Sequence, residues 1–434
     1  MRTVLKKNIL LSVFVVLLVI PALQDYFKIF IEKPLQGAII PAPDTILTPD
    51  AWFSGRFQLV REKFLNENFG YRNFFVRVNN QIAYSLYSIA KANGVIIGKE
   101  NYLYEKGYIN AYYGKDFIGM DSVSKRMQQL KFIQDTLSKL NKNLIVIFAA
   151  GKGSFYPEYF PENLKSEKGI TNYSCHIKLA KEKGLSFIDF NKYFIENKST
   201  SKYPLYPQYG IHWSYYSTCI VADSIIRYIE KTRNIDMPNL FWDTIEFDDA
   251  KEIDYDIADG MNLLFKLGSF KMAYPKIQLQ SDSNKIKPSV LVVADSYYWG
   301  MFNFGISNAF SNSHFWFYNQ QIYPDSYQSP LETSQVDLGS EIAKHDVIII
   351  MATEATLPNL GWGFINKAYN LFNKNEKNII YDTEFQRKIV DIRNYIKTDK
   401  NWMEQIKKKA EMKSIKLDSM LTLDAIWAIN KERK

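Results

Sequence analysis

SVLVVADSYYWG, residues 289–300, sets a run of short, mostly β-branched apolar residues directly ahead of Asp295 and Ser296. A run of that kind, bounded by polar residues, predicts a strand buried on both faces, as the strands of a parallel sheet are. LIVIFAA (144–150), LSFID (185–189) and DVIIIMA (346–352) have the same make-up. Between them, apolar residues recur at helical spacing over Ser122–Leu140, over 171–183, and from Tyr215 to Lys231. The alternation predicts an α/β fold, a parallel sheet flanked by helices. Open sheets of this class bind ligands beyond the carboxyl ends of their strands. Those ends here are Gly151–Ser154, Asp189, Asp295–Ser296 and Thr353–Glu354.

Further out, the amino terminus carries Arg2, Lys6 and Lys7 ahead of an uncharged stretch, Asn8–Gln24, centred on ILLSVFVVLLVIPAL. That length is at the short end of what spans a bilayer. PALQ offers no small-x-small cleavage site, so an anchor over residues 1–25 is favoured over a cleaved signal. Basic residues before the span predict a cytoplasmic amino terminus and an exported bulk: a single pass through the inner (cytoplasmic) membrane, with the rest periplasmic. Residues 26–50, punctuated by Pro34, Pro41, Pro43 and Pro49, read as an extended stalk. Helical spacing returns over 51–93, broken near Gly70, and a hairpin is expected around Lys99–Asn101. The main domain is placed at 51–375, and a helical extension with a basic outer face at 376–434.

The net charge of +8 sits at the two ends, +3 in residues 1–7 and +4 in 400–434, leaving the rest close to neutral. With no basic groove or reading helix in the middle, nucleic-acid binding is not expected. Cys175 and Cys219 make no metal-ligand spacing, and are either a disulfide or two buried thiols. No metal or organic cofactor is expected. The segment GKGS lacks the spacing of a phosphate-binding loop.

Of four histidines, His176 and His345 read as structural, and His314 falls in a loop with no defined role. His212 stands in YPQYGIHWSYYS, just before a helix that Ser214 can cap, with Trp213 beside it to pack the ring. Ser296 follows its strand where a hydroxyl can stand above the sheet with backbone N–H groups near it, although a serine there can also simply cap the next helix. Lys152, Ser154 and Tyr156 on one strand-end loop, with Asp295 and Tyr297 beside the serine, are candidates for touching substrate or shaping an oxyanion site. Asp295 itself reads as a loop-shaping residue that holds backbone amides.

ADSYYWG and YGIHWS, with the histidine block ahead of the serine block, resemble the SGNH-hydrolase-like domain of the alginate O-acetyltransferase family (AlgX/AlgJ type). NENFGYR (66–72), VIIGKENYLY (95–104) and AAGKGSFYPEYFP (149–161) are similar to further stretches of that family. The resemblance runs from about Trp52 to about Pro358. It implies a flavodoxin-like SGNH sheet with permuted motif order, Ser296 as nucleophile and His212 as general base. It also implies a polysaccharide substrate and an acetyl donor delivered by an integral-membrane O-acyltransferase. The family places an aspartate two residues before the histidine, where this chain has Gly210. Three explanations stand: another carboxylate orients His212, Asp189 and Glu354 being the best placed; a backbone carbonyl or water does so; or the site is inactive and the domain is a polysaccharide-binding or assembly subunit.

Overall fold

The computed structural model describes residues 2–37, 43–280, 284–373, 388–389, 391–413 and 415–432. Among the described residues there are ten strands: β1 Val95–Ile97, β2 Leu103–Glu105, β3 Asn143–Ala149, β4 Phe187–Asp189, β5 Asn239–Asp248, β6 Met272–Gln280, β7 Val290–Ala294, β8 Ser313–Phe317, β9 Gln321–Tyr323 and β10 Val347–Thr353. The main sheet has the order β4-β3-β10-β7-β8-β9, parallel from β4 to β8 with β9 antiparallel at the edge. β7 and β10 are buried at every position, which explains why their residues are apolar without alternation. The topology and the apolar strands bear out the expected α/β fold, a largely parallel sheet flanked by helices.

Helices Met120–Lys139, Asn172–Glu182 and Tyr215–Arg233 lie close to their predicted spans. The expected hairpin is β1–β2, with a short turn at Lys99–Asn101. His314, expected in a loop, is instead the second residue of β8, paired with Leu291 of β7. Cys175 and Cys219 are both buried and unpaired. An antiparallel ribbon, β5–β6, fills a stretch in which the sequence pattern shows no clear element. The turn between its strands carries a five-residue helix, Asp256–Gly260.

The segment after the first helix is not a free stalk. Helix Arg2–Phe27 holds an apolar stretch, Lys6–Phe27, of mean hydropathy 2.2, long enough to cross a bilayer. Beyond it the Glu32 carboxylate accepts the N–H groups of Tyr71 and Phe74, and Arg77 donates to the carbonyls of Lys33 and Pro34. The Gln36 N–H reaches Asn262. Prolines predicted extension; residues 29–37 and 43–48 form no helix or strand, residues 38–42, with Pro41, lie outside the described residues, and the contacts above tie this part of the chain to the domain. Gly70 lies so close to Pro21 that a Cβ there would stand 2.2 Å from its carbonyl oxygen.

The chain divides into two compact units, Met1–Ile365 and Asn366–Lys434. In the second, helices Lys400–Met412 and Leu417–Glu432 enclose Ile396, Ile406, Met420 and Ala425. The buried Asp424 carboxylate accepts from Trp402 Nε1 and Lys409 Nζ.

Ile349, fully buried in the middle of β10, tests how far the sheet core carries the first unit. Ile349→Ala is expected to cost about 2–5 kcal/mol, through lost burial and a cavity flanked by strands on both sides. A lowered urea midpoint for the full chain in detergent checks it.

Candidate active site

Ser296 is presented at the carboxyl end of β7 by the residue before it. The buried Asp295 carboxylate accepts the Tyr297 N–H (3.1 Å), the Thr353 N–H (2.9 Å) and the Thr356 hydroxyl (2.7 Å). It thereby latches the serine turn to the end of β10, as a loop-shaping role requires. Burial pushes its pKa up, and these donors oppose the shift.

The loop of His212 is clamped from several sides. The Lys152 ammonium, wholly buried, donates to the carbonyls of Gln208 (2.8 Å) and Gly210 (2.6 Å). Burial lowers its pKa to about 7, against the opposing pull of the Asp256 charge. The Tyr297 hydroxyl donates to the Ile211 carbonyl (2.5 Å), and its ring lies 4.7 Å from the imidazole. Trp213 packs on Tyr297 and Phe194 and so supports the ring that supports the histidine. Ser214 caps the following helix by accepting the Ser217 N–H.

These clamps bring His212 Nε2 to 3.0 Å from Ser296 Oγ, 84 positions away in sequence. Behind the ring, Nδ1 is hydrogen-bonded to Asp256 Oδ2. The other Asp256 oxygen accepts the Ile211 N–H at 2.9 Å. With Asp256 ionised, Nδ1 carries the ring proton and Nε2 is left to accept the serine proton. Burial disfavours a charged imidazole, but the Asp256 charge and hydrogen bond, with the charges of Asp295 and Glu105, outweigh it, and the His212 pKa lies above its usual 6.5.

The two acids expected behind His212 are elsewhere. Asp189 ends β4, three strand spacings or roughly 14 Å from β7; it accepts from the Tyr173 hydroxyl and the Lys192 N–H. Glu354 accepts from Ser154 Oγ and Asn191 Nδ2, both at 2.9 Å. Burial raises its pKa to about 7. Ser154 is therefore spent on Glu354, and Lys152 and Tyr297 on the histidine loop. The Tyr156 carbonyl takes the Tyr104 hydroxyl, and its ring packs among Tyr102, Phe155 and Tyr159. Each of the four thus has a hydrogen-bond partner within the protein, the Tyr156 hydroxyl at 3.5 Å from the Tyr206 carbonyl.

Three contributors escaped sequence reasoning. Asp256 follows His212 by 44 positions, in the β5–β6 turn rather than at a strand end. Tyr318, in the left-handed region (φ 50°) just past β8, turns its phenol to Ser296. Burial and the Asp295 charge raise its pKa, while hydrogen bonding to the Ser296 side chain and backbone holds it back. Glu105, at the end of β2, lies close enough that its charge acts on both His212 and Tyr318. Only Asp256 had a legible sign, as an acid in the cluster EIDYDIAD (252–259).

Residues 95–240 match the family model of the SGNH hydrolase-like domain of the acetyltransferase AlgX. That match bears out the family resemblance and covers the His212 block. Among curated proteins no sequence matches the chain. Solved structures similar to it include the O-acetyltransferase domain of Pseudomonas putida AlgJ, 14% identical with a TM-score of 0.42, over 64% of this chain and 99% of that one. Pseudomonas aeruginosa AlgX is 12% identical with a TM-score of 0.41, over 63% of this chain and 67% of that one. Bacillus cereus PatB1 with a sulfonyl adduct is 10% identical with a TM-score of 0.41, over 62% and 99%. Likeness of this degree says nothing of this chain's substrate.

The His212 ring is expected to titrate above pH 6.5, and lower in Asp256→Asn, where burial is opposed only by the more distant charges of Asp295 and Glu105; NMR of the ring protons checks both. The raised pKa has a stability counterpart. Its contribution is full below pH 6.5 and is lost as pH rises through the folded-state value. Gly210→Asp, which restores the family's acid position, is expected to destabilise rather than rescue, by about 1–3 kcal/mol. A Cβ there would stand 2.3 Å from the Ile253 carbonyl oxygen; thermal unfolding beside the parent chain checks it.

Proposed function

We propose that the chain is a membrane-anchored, extracytoplasmic O-acetyltransferase acting on a cell-surface polysaccharide, with Ser296 as nucleophile. The observation that carries this reading is the continuous hydrogen-bonded series Ser296–His212–Asp256 at the carboxyl end of the sheet. Its three roles fit acyl transfer. Ser296 Oγ attacks the carbonyl carbon of an acetyl donor while His212 Nε2 takes the hydroxyl proton. Asp256 holds the imidazole in the needed tautomer and stabilises the imidazolium.

The tetrahedral oxygen needs donors, and the Ser296 N–H and Tyr318 hydroxyl both lie at the nucleophile. Collapse breaks the bond to the leaving group, which departs with the proton from His212 and leaves an acetyl-serine. A sugar hydroxyl then gives its proton to His212 and attacks the acetyl carbonyl. The ester forms and Ser296 recovers its proton. Water in place of the sugar makes the same site an acetylesterase. The apolar amino-terminal helix supports an inner-membrane anchor, and chemistry outside that membrane requires a donor passed across it. An integral-membrane O-acyltransferase partner fills that need.

The alternative, a polysaccharide-binding or assembly subunit without catalysis, drew its support from Gly210. Asp256 removes that support, since the imidazole has its acid.

Release of acetate from 4-nitrophenyl acetate by the full chain in detergent tests the proposal. Ser296→Ala is expected to abolish it, and Asp256→Asn to lower kcat by roughly 10²–10⁴. Tyr318→Phe is expected to lower kcat by about 10–10³ with KM little changed. The rate of the parent chain should rise with pH through a midpoint above 6.5, as His212 becomes neutral. Hydrolysis that Ser296→Ala leaves intact would show that the serine is not the nucleophile.

A further inference from the structure

At the opposite, amino-terminal ends of the parallel strands stands a second group of titratable side chains that acyl transfer does not use. His314 lies at the start of β8, and His345 two residues before β10. Glu341 is one turn earlier, on helix Leu338–Lys344. One ligand atom from each of the three lies within 4.8 Å of the other two. No other such group of His, Cys, Asp and Glu occurs among the described residues.

The hydrogen bonds around the group leave it incomplete. His345 Nδ1 is taken by the Glu341 carbonyl at 2.7 Å. Its Nε2 is fully buried and has no hydrogen-bond partner among the described residues. His314 Nδ1 is 3.1 Å from Glu341 Oε2, and its Nε2 is 3.5 Å from Asp325 Oδ2. Each imidazole therefore has one nitrogen on an outer oxygen and the other on the cluster side. Metal-binding histidines are held in this way, by a carbonyl or carboxylate on the far nitrogen. His176 also carries a buried Nε2 without a partner, but it belongs to no such group of three among the described residues.

We propose that His314, Glu341 and His345 form a divalent-cation site of zinc type that ties β8 to the segment entering β10. Two imidazoles and one carboxylate are a zinc donor set, with a fourth position for water. Contraction from the present spacing takes small side-chain rotations, since direct zinc bonds are about 2.0–2.2 Å. The neighbouring charges allow it. Lys344 occupies only Glu341 Oε1 (2.7 Å) from an exposed position, and Lys142 is spent on the carbonyls of Ala343 and His345. The site's role is structural: it crosses the start of β7, on which Ser296 depends at the other end.

The test uses the full chain in detergent, stripped with chelator and dialysed against zinc alone, with bound metal counted by mass spectrometry. About one zinc per chain is expected, together with a higher thermal midpoint than in the stripped protein. His314→Gln and Glu341→Gln, at positions nearer the surface than His345, are each expected to weaken zinc binding at least roughly tenfold. His345→Gln should do the same where it folds. Cobalt in place of zinc should give visible bands of a four-coordinate ion. Zinc bound equally by the parent and by His314→Gln and Glu341→Gln, or well below one per chain in the parent, overturns the proposal.

Discussion

Asp256 makes two hydrogen bonds that the geometry of the Ser296–His212 pair depends on. One oxygen takes the imidazole of His212 and the other the backbone N–H of Ile211, so a single carboxylate fixes both the ring and the chain that bears it. A ring held only by its own nitrogen could pivot about its side-chain torsions; one whose backbone is tied to the same acid cannot swing without breaking both bonds. The neighbouring Asp254, fully buried, accepts the Tyr215 N–H on the far side of the histidine. Burial raises its pKa to about 7. The turn between β5 and β6 thus grips the chain before and after His212.

That turn can act at a distance only because the serine side is equally fixed. Ser296 inherits its position from β7, which is hydrogen-bonded on both sides, to β10 and to β8. Asp295 then ties the strand end sideways to Thr353 and Thr356. Strand ladders set the serine to within the precision of a backbone, and buried side chains set the histidine. The 3.0 Å meeting of the two is the product of two separate rigid frames.

The parts of this arrangement legible in the sequence are those carried by local pattern. Apolar runs such as SVLVVA and DVIIIMA announce buried parallel strands, and a residue just past the end of such a strand lies at the sheet's carboxyl edge, open to a ligand. Ser296 was legible on those grounds, and His212 from its place just before a helix that Ser214 caps. The acid cluster at 252–259 could be seen, but that Asp256 meets His212 could not, because the approach comes from the folding back of a ribbon between residues 239 and 280, and no periodicity encodes which turn a ribbon presents. Lys152 misled for a related reason. A lysine on a strand-end loop is usually solvated, and only the three-dimensional course of residues 208–210 offers two carbonyls to bury it against. His314 reads as a loop residue because polar neighbours mask a five-residue edge-ward strand.

Gly210 and Asp256 are best understood together. Any side chain at position 210 would begin 2.3 Å from the Ile253 carbonyl oxygen and 2.9 Å from the Asp254 carbonyl carbon. A residue with a Cβ at 210 and the turn 252–256 in its present place therefore exclude each other. An aspartate two residues before the histidine would push this turn away, and with it Asp256. Glycine there admits the turn, which brings its own acid to the same nitrogen. The missing acid and the new one are two faces of one steric condition, so the absence of a side chain at 210 is what allows the imidazole its carboxylate.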